Sequence, residues 1–167
     1  MFKIKLLILL LINLTLFSCT NNKTSNNSLK FSISYISGEY DGLILKNILT
    51  NHMKSIMILD TNSFYEIHPS ISHKSSTYIT NINNTSERER VFSSLSVTII
   101  DKITECSLYS EKFSLSQFYI YAPGDKFISN QKAYKKIKKE NTESLVKKLI
   151  NKLNKLDLTC NEKPEPN

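Results

Sequence analysis

Residues 91–101 read VFSSLSVTIID, and their side chains divide into two alternating sets. Val91, Leu95 and Ile99 belong to one set, while Phe92 and Thr98 belong to the other. Alternate positions of a β-strand point to opposite sides of a sheet, so this period of two residues predicts a strand with two distinct faces. It is the clearest strand signal in the chain.

A second strand is predicted directly after this one. Residues 101–105 close the first strand, and residues 108–121 then alternate around Tyr109, Phe113 and Leu115. A connection this short joins antiparallel neighbours, so the two segments are predicted to form a hairpin.

Two further strands are predicted before residue 91. Residues 64–80 are rich in Tyr, Ile, Thr and Ser and are predicted to be extended, with an interruption near Pro69. The asparagine-rich residues 81–85 are predicted to form a turn. Near the start of the domain, residues 29–36 alternate between apolar and polar side chains and predict a strand that ends before Gly38.

Two helices are predicted from apolar residues at helical spacing. The first runs from Asp41, taken as its N-cap, to Ser55. The second, residues 131–156, is long and amphipathic, and its lysines are expected on the solvent face. These lysines include Lys135, Lys136, Lys138 and Lys139.

The element order is therefore β-α-β-β-β-α. Short turns join the last three strands, which favours a meander, and each amphipathic helix needs an apolar surface to cover. The sequence thus predicts an α+β fold in which two helices pack on one face of a four-stranded, largely antiparallel sheet.

The N-terminus has the features of a bacterial lipoprotein signal. Lys3 and Lys5 precede an apolar stretch, residues 6–16, and the sequence LFSC at residues 16–19 places a small residue before Cys19. Residues 1–18 are predicted to be the signal peptide and Cys19 the lipid attachment site, through which the chain would be held to a membrane. An ordinary secretory signal is the alternative.

The chain beyond the signal divides into three parts. Residues 19–28 are polar and predict a flexible, lipidated tether. Residues 29–157 are long enough for a single domain, and residues 158–167 are predicted to be a polar, disordered tail.

The charge balance is moderately basic. The chain has 22 Lys and Arg against 15 Asp and Glu, a formal net charge of +7, and removal of Lys3 and Lys5 with the signal lowers it to +5. Because the signal directs the domain out of the cytoplasm, phosphorylated lipids and lipopolysaccharide are the expected anionic partners, and nucleic acid is not. An oxidising compartment would permit a disulfide between Cys106 and Cys160, with two free thiols as the alternative.

Motifs for catalysis and for cofactor binding are missing from the sequence. Only three glycines occur, too few and too dispersed for a phosphate-binding loop, and the three histidines have no metal-ligand spacing. The carboxylates on the predicted strands match no acid–base pattern. The sequence therefore predicts a binding or structural protein with no catalytic residue, no metal and no cofactor.

The chain resembles the outer-membrane LPS-assembly lipoprotein (LptE) family. Three stretches carry the resemblance: residues 33–49 (ISYISGEYDGLILKNIL), residues 91–101, and residues 119–153, which end in SLVKKLINKL. The resemblance implies a two-helix, four-strand sandwich that plugs the LPS-assembly barrel LptD, on the periplasmic side of the outer membrane, and assists transport of lipopolysaccharide.

Basic residues near turns are the candidates for binding the phosphates of lipopolysaccharide. Arg88 and Arg90 precede the clearest strand, and Lys126 and Lys132 flank the entry to the last helix. In the family, a lysine in that loop is associated with lipopolysaccharide, and Lys126 is the nearest match. Simple solvated charge is the alternative for all four.

Two other functions remain open at this point. One is a free-standing periplasmic lipoprotein that binds a small amphiphile on the open face of its sheet, which would require a sizeable apolar cleft. The other is a surface-exposed lipoprotein.

Overall fold

The computed structural model describes residues 29–79, 87–121, 126–156 and 158, and the elements follow the predicted order β-α-β-β-β-α. The signal peptide, Cys19, the tether, the turn at residues 81–85 and Cys160 lie outside the described residues. The elements are β1 Ser32–Ile33, α1 Tyr40–Ser55, β2 Tyr65–Ile79, β3 Glu87–Asp101, β4 Ser107–Ile120 and α2 Phe127–Leu153.

The four strands form one sheet in the order β1-β2-β3-β4. β1 is parallel to β2, whereas β2, β3 and β4 form an antiparallel meander. The long β2–β3 hairpin keeps one register from Tyr65 opposite Asp101 to Ile79 opposite Glu87. The predicted α+β class and the largely antiparallel sheet are confirmed.

One face of the sheet carries the core, and both helices pack against it. Val91, Leu95, Val97 and Ile99 of β3 are buried on this side, which we call the covered face. α1 packs against β2, and α2 packs against β3 and β4 and against α1. The helices contribute fully buried leucines at helical spacing, among them Leu45, Leu49, Leu145 and Leu149. Burial of each such side chain contributes about 1.5–3 kcal/mol.

β2 passes through Pro69 without the predicted interruption, so that expectation was wrong. Pro69 pairs with Val97 inside the strand. The carbonyl of Ile67 accepts a hydrogen bond from Ser34 N, so the backbone groups of residue 67 point toward β1. Backbone groups two residues apart in a strand point to the same side, so the nitrogen of Pro69 also points toward β1. β1 does not extend that far, and the missing N–H of Pro69 therefore removes no hydrogen bond from the β2–β3 ladder.

The first strand is shorter than predicted. Only Ser32 and Ile33 pair with β2, and Phe31 forms an isolated parallel bridge with Leu59. The backbone of Phe31 bonds to Ile58 and Asp60 instead, because this segment lies between the end of α1 and the start of β2.

The helix boundaries also differ from the predictions. Asp41 is not the N-cap of α1; Glu39 holds that position and makes no side-chain capping bond. α2 begins at Phe127, one turn before the predicted start. At the other end of the domain, Leu158 packs partly buried against the core. Neither described helix has the length and apolar composition needed to cross a bilayer.

Candidate amphiphile-binding surface

The face of the sheet opposite the helices, which we call the open face, is rich in hydroxyls and basic. It is formed by the even-numbered positions of β2, β3 and β4, because the odd-numbered ones point to the helices. Leu108 is the exception among the described positions, since the register shifts beside it and its side chain is buried in the core. Its serines are Ser70, Ser72, Ser76, Ser94, Ser96, Ser110, Ser114 and Ser116. Its cations are Lys74, Arg88, Arg90 and Lys112.

Apolar side chains join the cations at one end of the open face. In the sheet register Lys74 lies opposite Phe92, Arg90 opposite Phe118, and Arg88 opposite Ile120. The exposed fractions of Phe92, Phe118 and Ile120 are 36%, 51% and 69%. We call these six residues the distal patch.

Arg90 is the residue of the distal patch whose position is best defined. Its guanidinium donates a hydrogen bond to Ser116 Oγ at 3.2 Å, and its central carbon lies 5.9 Å from the centroid of the Phe118 ring. Stacking on an aromatic ring and one hydroxyl contact restrain the planar group while leaving other N–H donors available for a ligand.

The cations of the distal patch have no carboxylate partner among the described residues. The salt bridges among the described residues involve other lysines and His68. Only one acidic residue, Glu66, occupies a described even-numbered position of β2, β3 or β4. It lies 2.9 Å from His68, near the opposite end of the sheet. Unpaired Lys and Arg beside exposed aromatic rings suit a ligand that has both negative charge and apolar groups. The patch therefore has the chemistry of a binding surface for an anionic amphiphile.

The predicted phosphate-binding residues fall into two groups. Arg88 and Arg90 lie together on the distal patch. Lys126 and Lys132 are exposed and lie before and within the first turns of α2, which covers the other face, so the structure does not place them on the patch.

Sequence reasoning missed the remaining members of the distal patch. Once the pairing of the strands is known, four more residues lie on the same face of the sheet as the two arginines: Lys74, Phe92, Phe118 and Ile120. The sequence showed which residues of one strand share a face. It did not show the register between strands, because no turn motif defined the lengths of the loops.

Lys138 also differs from its prediction as a lysine of the solvent face. Its Nζ lies 2.6 Å from Asp41 Oδ2, and its side chain is only 15% exposed. The pair joins α2 to the first turn of α1, where the carboxylate of Asp41 had been expected to cap its own helix.

A buried polar cluster continues from this pair toward the sheet. His73 Nδ1 and Ser93 Oγ share a hydrogen bond of 2.7 Å, and Asn141 Nδ2 donates to the same hydroxyl at 2.9 Å. Burial lowers the pKa of His73, with Asp41 opposing the shift and Lys138 adding to it. Ser93 and Asn141 have no exposed surface, so they join the helix to the sheet and cannot touch a ligand.

Two tyrosines on the covered side of β4 donate hydrogen bonds to carboxylates. Tyr109 donates to Glu111, and Tyr119 donates to Glu89 across the strand pair. Burial, followed by the bond to the neighbouring carboxylate, raises the pKa of both tyrosines above the ordinary value, so both hydroxyls keep their protons at neutral pH.

Cys106 is disulfide-bonded. Cys160 lies outside the described residues, so pairing between Cys106 and Cys160 stays a prediction. Across the described ranges, no three His, Cys, Asp or Glu side chains come together in a way that could hold a metal ion.

Solved structures of several bacterial lipoproteins share this fold. The rare lipoprotein B from Shewanella oneidensis matches with a TM-score of 0.58 at 12% identity, over 76% of this chain and 93% of that protein. The minor lipoprotein from Acinetobacter baumannii matches with a TM-score of 0.59 at 11% identity, over 81% and 98%. The lipoprotein B from Nitrosomonas europaea gives 0.56 at 9% identity, over 75% and 82%.

These similarities concern the fold alone, because the sequence identities are so low. No protein-family model matches the chain, and no curated protein matches it significantly. The sandwich implied by the family resemblance is therefore present, while the function has to be argued from the surface of this chain.

Proposed function

We propose that this chain is a lipoprotein of lipopolysaccharide assembly, anchored through Cys19 to the periplasmic face of the outer membrane. In this role it plugs the LPS-assembly barrel LptD and contacts lipopolysaccharide with its distal patch. The observation that carries the proposal is the distal patch itself. There, cations with no carboxylate partner among the described residues lie beside exposed aromatic rings on the open face of a lipoprotein-type sandwich.

The distribution of polar groups supports the role of a plug. The lumen of a large outer-membrane barrel is polar, so a domain enclosed in it needs a polar exterior. With both helices on the covered face, the open face offers seryl hydroxyls such as Ser72 and Ser114, which can form hydrogen bonds with a lumen wall. The exposed lysines of α2 provide a polar exterior on the opposite side.

The chemistry of lipopolysaccharide matches the distal patch. Its lipid A part combines phosphate groups with acyl chains. Arg90 and Arg88 can donate charge-assisted hydrogen bonds to phosphate, and Phe92 and Phe118 can contact the first methylenes of an acyl chain. Lys126 and Lys132 lie near the start of α2 and would contribute charge from the helix side. The role is one of binding and support, without catalysis.

Co-purification tests the barrel partnership. The tagged chain is extracted from outer membranes in mild detergent, and LptD is expected in the eluate as a stoichiometric β-barrel identified by mass spectrometry. Photo-crosslinking residues placed at Ser72 and Ser114 are expected to crosslink to LptD. Recovery of the monomer alone, with no crosslink from either position, would contradict the proposal.

A second function is compatible with the same patch. A free-standing periplasmic lipoprotein would hold a small anionic amphiphile on this exposed patch, and not in the sizeable apolar cleft expected for such a protein. In that case a lysophospholipid would bind to the distal patch, and no barrel would co-purify. Co-purification of a barrel therefore distinguishes the two functions.

A further inference from the structure

A pocket on the covered side of the sheet, beside the first turns of α2, is lined by aromatic and polar side chains. Its walls include Glu89, Tyr119, Tyr121, Phe127, Gln131 and Tyr134. We propose that this tyrosine pocket binds one pyranose ring of a saccharide. The pocket lies on the opposite face from the distal patch, so the proposal does not depend on the proposed function.

Four aromatic rings give the pocket its apolar surface. Tyr119 lies near the end of β4 and Tyr121 directly follows that strand, while Phe127 and Tyr134 belong to α2. Phe127 is 63% exposed although it is a large apolar side chain. A flat ring that is apolar on its face and, in tyrosine, polar at its tip matches a pyranose, which has C–H faces and a rim of hydroxyls.

Polar groups in the same walls match the hydroxyl rim. The carboxylate of Glu89 accepts the hydrogen bond from Tyr119 and retains lone pairs for further donors. Gln131 offers an amide that can both donate and accept, and it is exposed at the edge of the pocket. A sugar hydroxyl, which is donor and acceptor at once, can be satisfied by this combination.

The walls are held in place before any ligand arrives. Tyr119 is fixed by Glu89, and the ring of Tyr134 lies 5.3 Å from Lys138 Nζ, which is itself held by Asp41 at 2.6 Å. Such preorganisation reduces the ordering cost that a weak ligand would otherwise have to overcome.

The volume of the pocket limits the size of the ligand. It encloses about 180 Å³, less than the roughly 300–1,000 Å³ of pockets that hold drug-sized molecules. One six-membered ring fits this space better than an acyl chain or a longer oligosaccharide, whose other residues would extend into solvent.

The charges around the pocket favour a neutral ligand. Glu89 disfavours an anion. The positive end of the α2 dipole disfavours a cation, although aromatic rings beside a carboxylate would otherwise suit one. A polyhydroxyl ring carries no net charge and avoids both penalties.

Saturation-transfer NMR tests the proposal on the mature lipoprotein in a detergent without a sugar headgroup. Methyl α-glucopyranoside and N-acetylglucosamine are the probes, and ethanolamine is the cationic comparison. We expect saturation of the ring C–H protons of at least one sugar. A preference between them would show whether the pocket favours an unsubstituted hexose or an N-acetylated amino sugar.

Variants locate the binding. Tyr134→Ala is expected to weaken sugar binding about fivefold to tenfold, and Tyr134→Phe is expected to keep it, because the ring remains. Tyr35→Ala is the matched control, since Tyr35 is 90% exposed outside the pocket. Urea unfolding of each variant shows that the fold is retained. No transfer to either sugar, binding of ethanolamine alone, or equal weakening by Tyr35→Ala would overturn the proposal.

Discussion

The ammonium of Lys138 lies 2.6 Å from the carboxylate of Asp41, and this contact joins the middle of α2 to the first turn of α1. Lys138→Ala leaves Asp41 partly buried without its partner. We expect the free energy of unfolding to fall by about 1–2 kcal/mol, below the cost for a fully buried pair because both groups retain some contact with water. Urea unfolding measures the change.

The control for this prediction is an exposed pair on the same helix. Lys136 and Glu140 approach to 3.8 Å with well-exposed side chains, so Lys136→Ala should cost less than about 0.5 kcal/mol. Equal effects of the two substitutions would mean that the contact between Lys138 and Asp41 does not hold the helices together.

The contact also illustrates what sequence patterns can and cannot predict. The period-two pattern of residues 91–101 predicted β3 because burial of alternate side chains leaves a direct signal in the sequence. The helix predicted from Asp41 to Ser55, which the structure has as Tyr40–Ser55, left the same kind of signal with a period of 3.6 residues. Such periodicities, together with the Tyr-, Ile-, Thr- and Ser-rich composition of residues 64–80, were sufficient for the element order and for the fold class.

Pairings between distant elements left no such signal. Lys138 belongs to a run of lysines that all read as solvent-facing, and only the packing of α2 beside α1 distinguishes it from its neighbours. Two of the six residues of the distal patch, Arg88 and Arg90, were predicted as candidates for binding phosphate. Phe118 could not be assigned to the same surface until the register of β3 and β4 was known.

His73 is expected to make the protein less stable in mild acid. Burial holds its folded-state pKa below the ordinary value of 6.5. Above pH 6.5 the residue is neutral in both the folded and the unfolded state, so it does not change the free energy of unfolding. As the pH falls, the unfolded chain takes up the proton first, and the free energy of unfolding therefore decreases until the pH passes the folded-state pKa. Urea titrations at pH 7, 6 and 5 measure this slope.

His73→Gln separates this effect from the titration of carboxylates. The variant should give a shallower decrease in the free energy of unfolding between pH 7 and pH 5 than the parent. An unchanged slope would show that the titration of His73 does not cause the pH dependence.

Asn141 is expected to tolerate neither loss of its amide nor gain of a charge. Its Nδ2 donates to Ser93 Oγ and to the carbonyl of Val91, and the residue has no exposed surface. Asn141→Ala should lower the free energy of unfolding by about 1–3 kcal/mol. Asn141→Asp should lower it further at pH 7, because it buries a carboxylate, and the difference should shrink at pH 4.

A double-mutant cycle with Ser93→Ala identifies the bond responsible. The two single substitutions should be non-additive by about 0.5–1.5 kcal/mol, since they remove the same hydrogen bond. Additive costs would assign the effect of Asn141→Ala to its cavity instead.

Gly42 is expected to resist the substitution that normally stabilises a helix. A Cβ at this position would lie 2.5 Å from the backbone oxygen of Ser37, which cannot move aside as a side chain could. Gly42→Ala should therefore destabilise the protein by about 1–3 kcal/mol, instead of the gain of about 1 kcal/mol given by helix propensity. Asn47→Ala, on the exposed side of the same helix, is the comparison and should be neutral or slightly stabilising. Thermal unfolding of the two variants gives the sign of each effect.

Arg90 is expected to contribute most of the affinity of the distal patch for an anionic amphiphile, because its guanidinium is oriented by Ser116 and Phe118. Arg90→Ala should weaken binding of lipid A about tenfold at low salt and reduce the dependence of binding on salt. The affinity of Arg90→Lys should lie between those of the parent protein and Arg90→Ala. Lys136→Ala removes the same charge from the exposed surface of α2 and should leave the affinity nearly unchanged. Binding is measured on lipid A in mixed micelles by isothermal titration calorimetry, with dephosphorylated lipid A as the ligand that cannot form the charged contact. If Lys136→Ala weakened binding as much as Arg90→Ala, net charge alone would account for the affinity, and the distal patch would lose its role as a defined site.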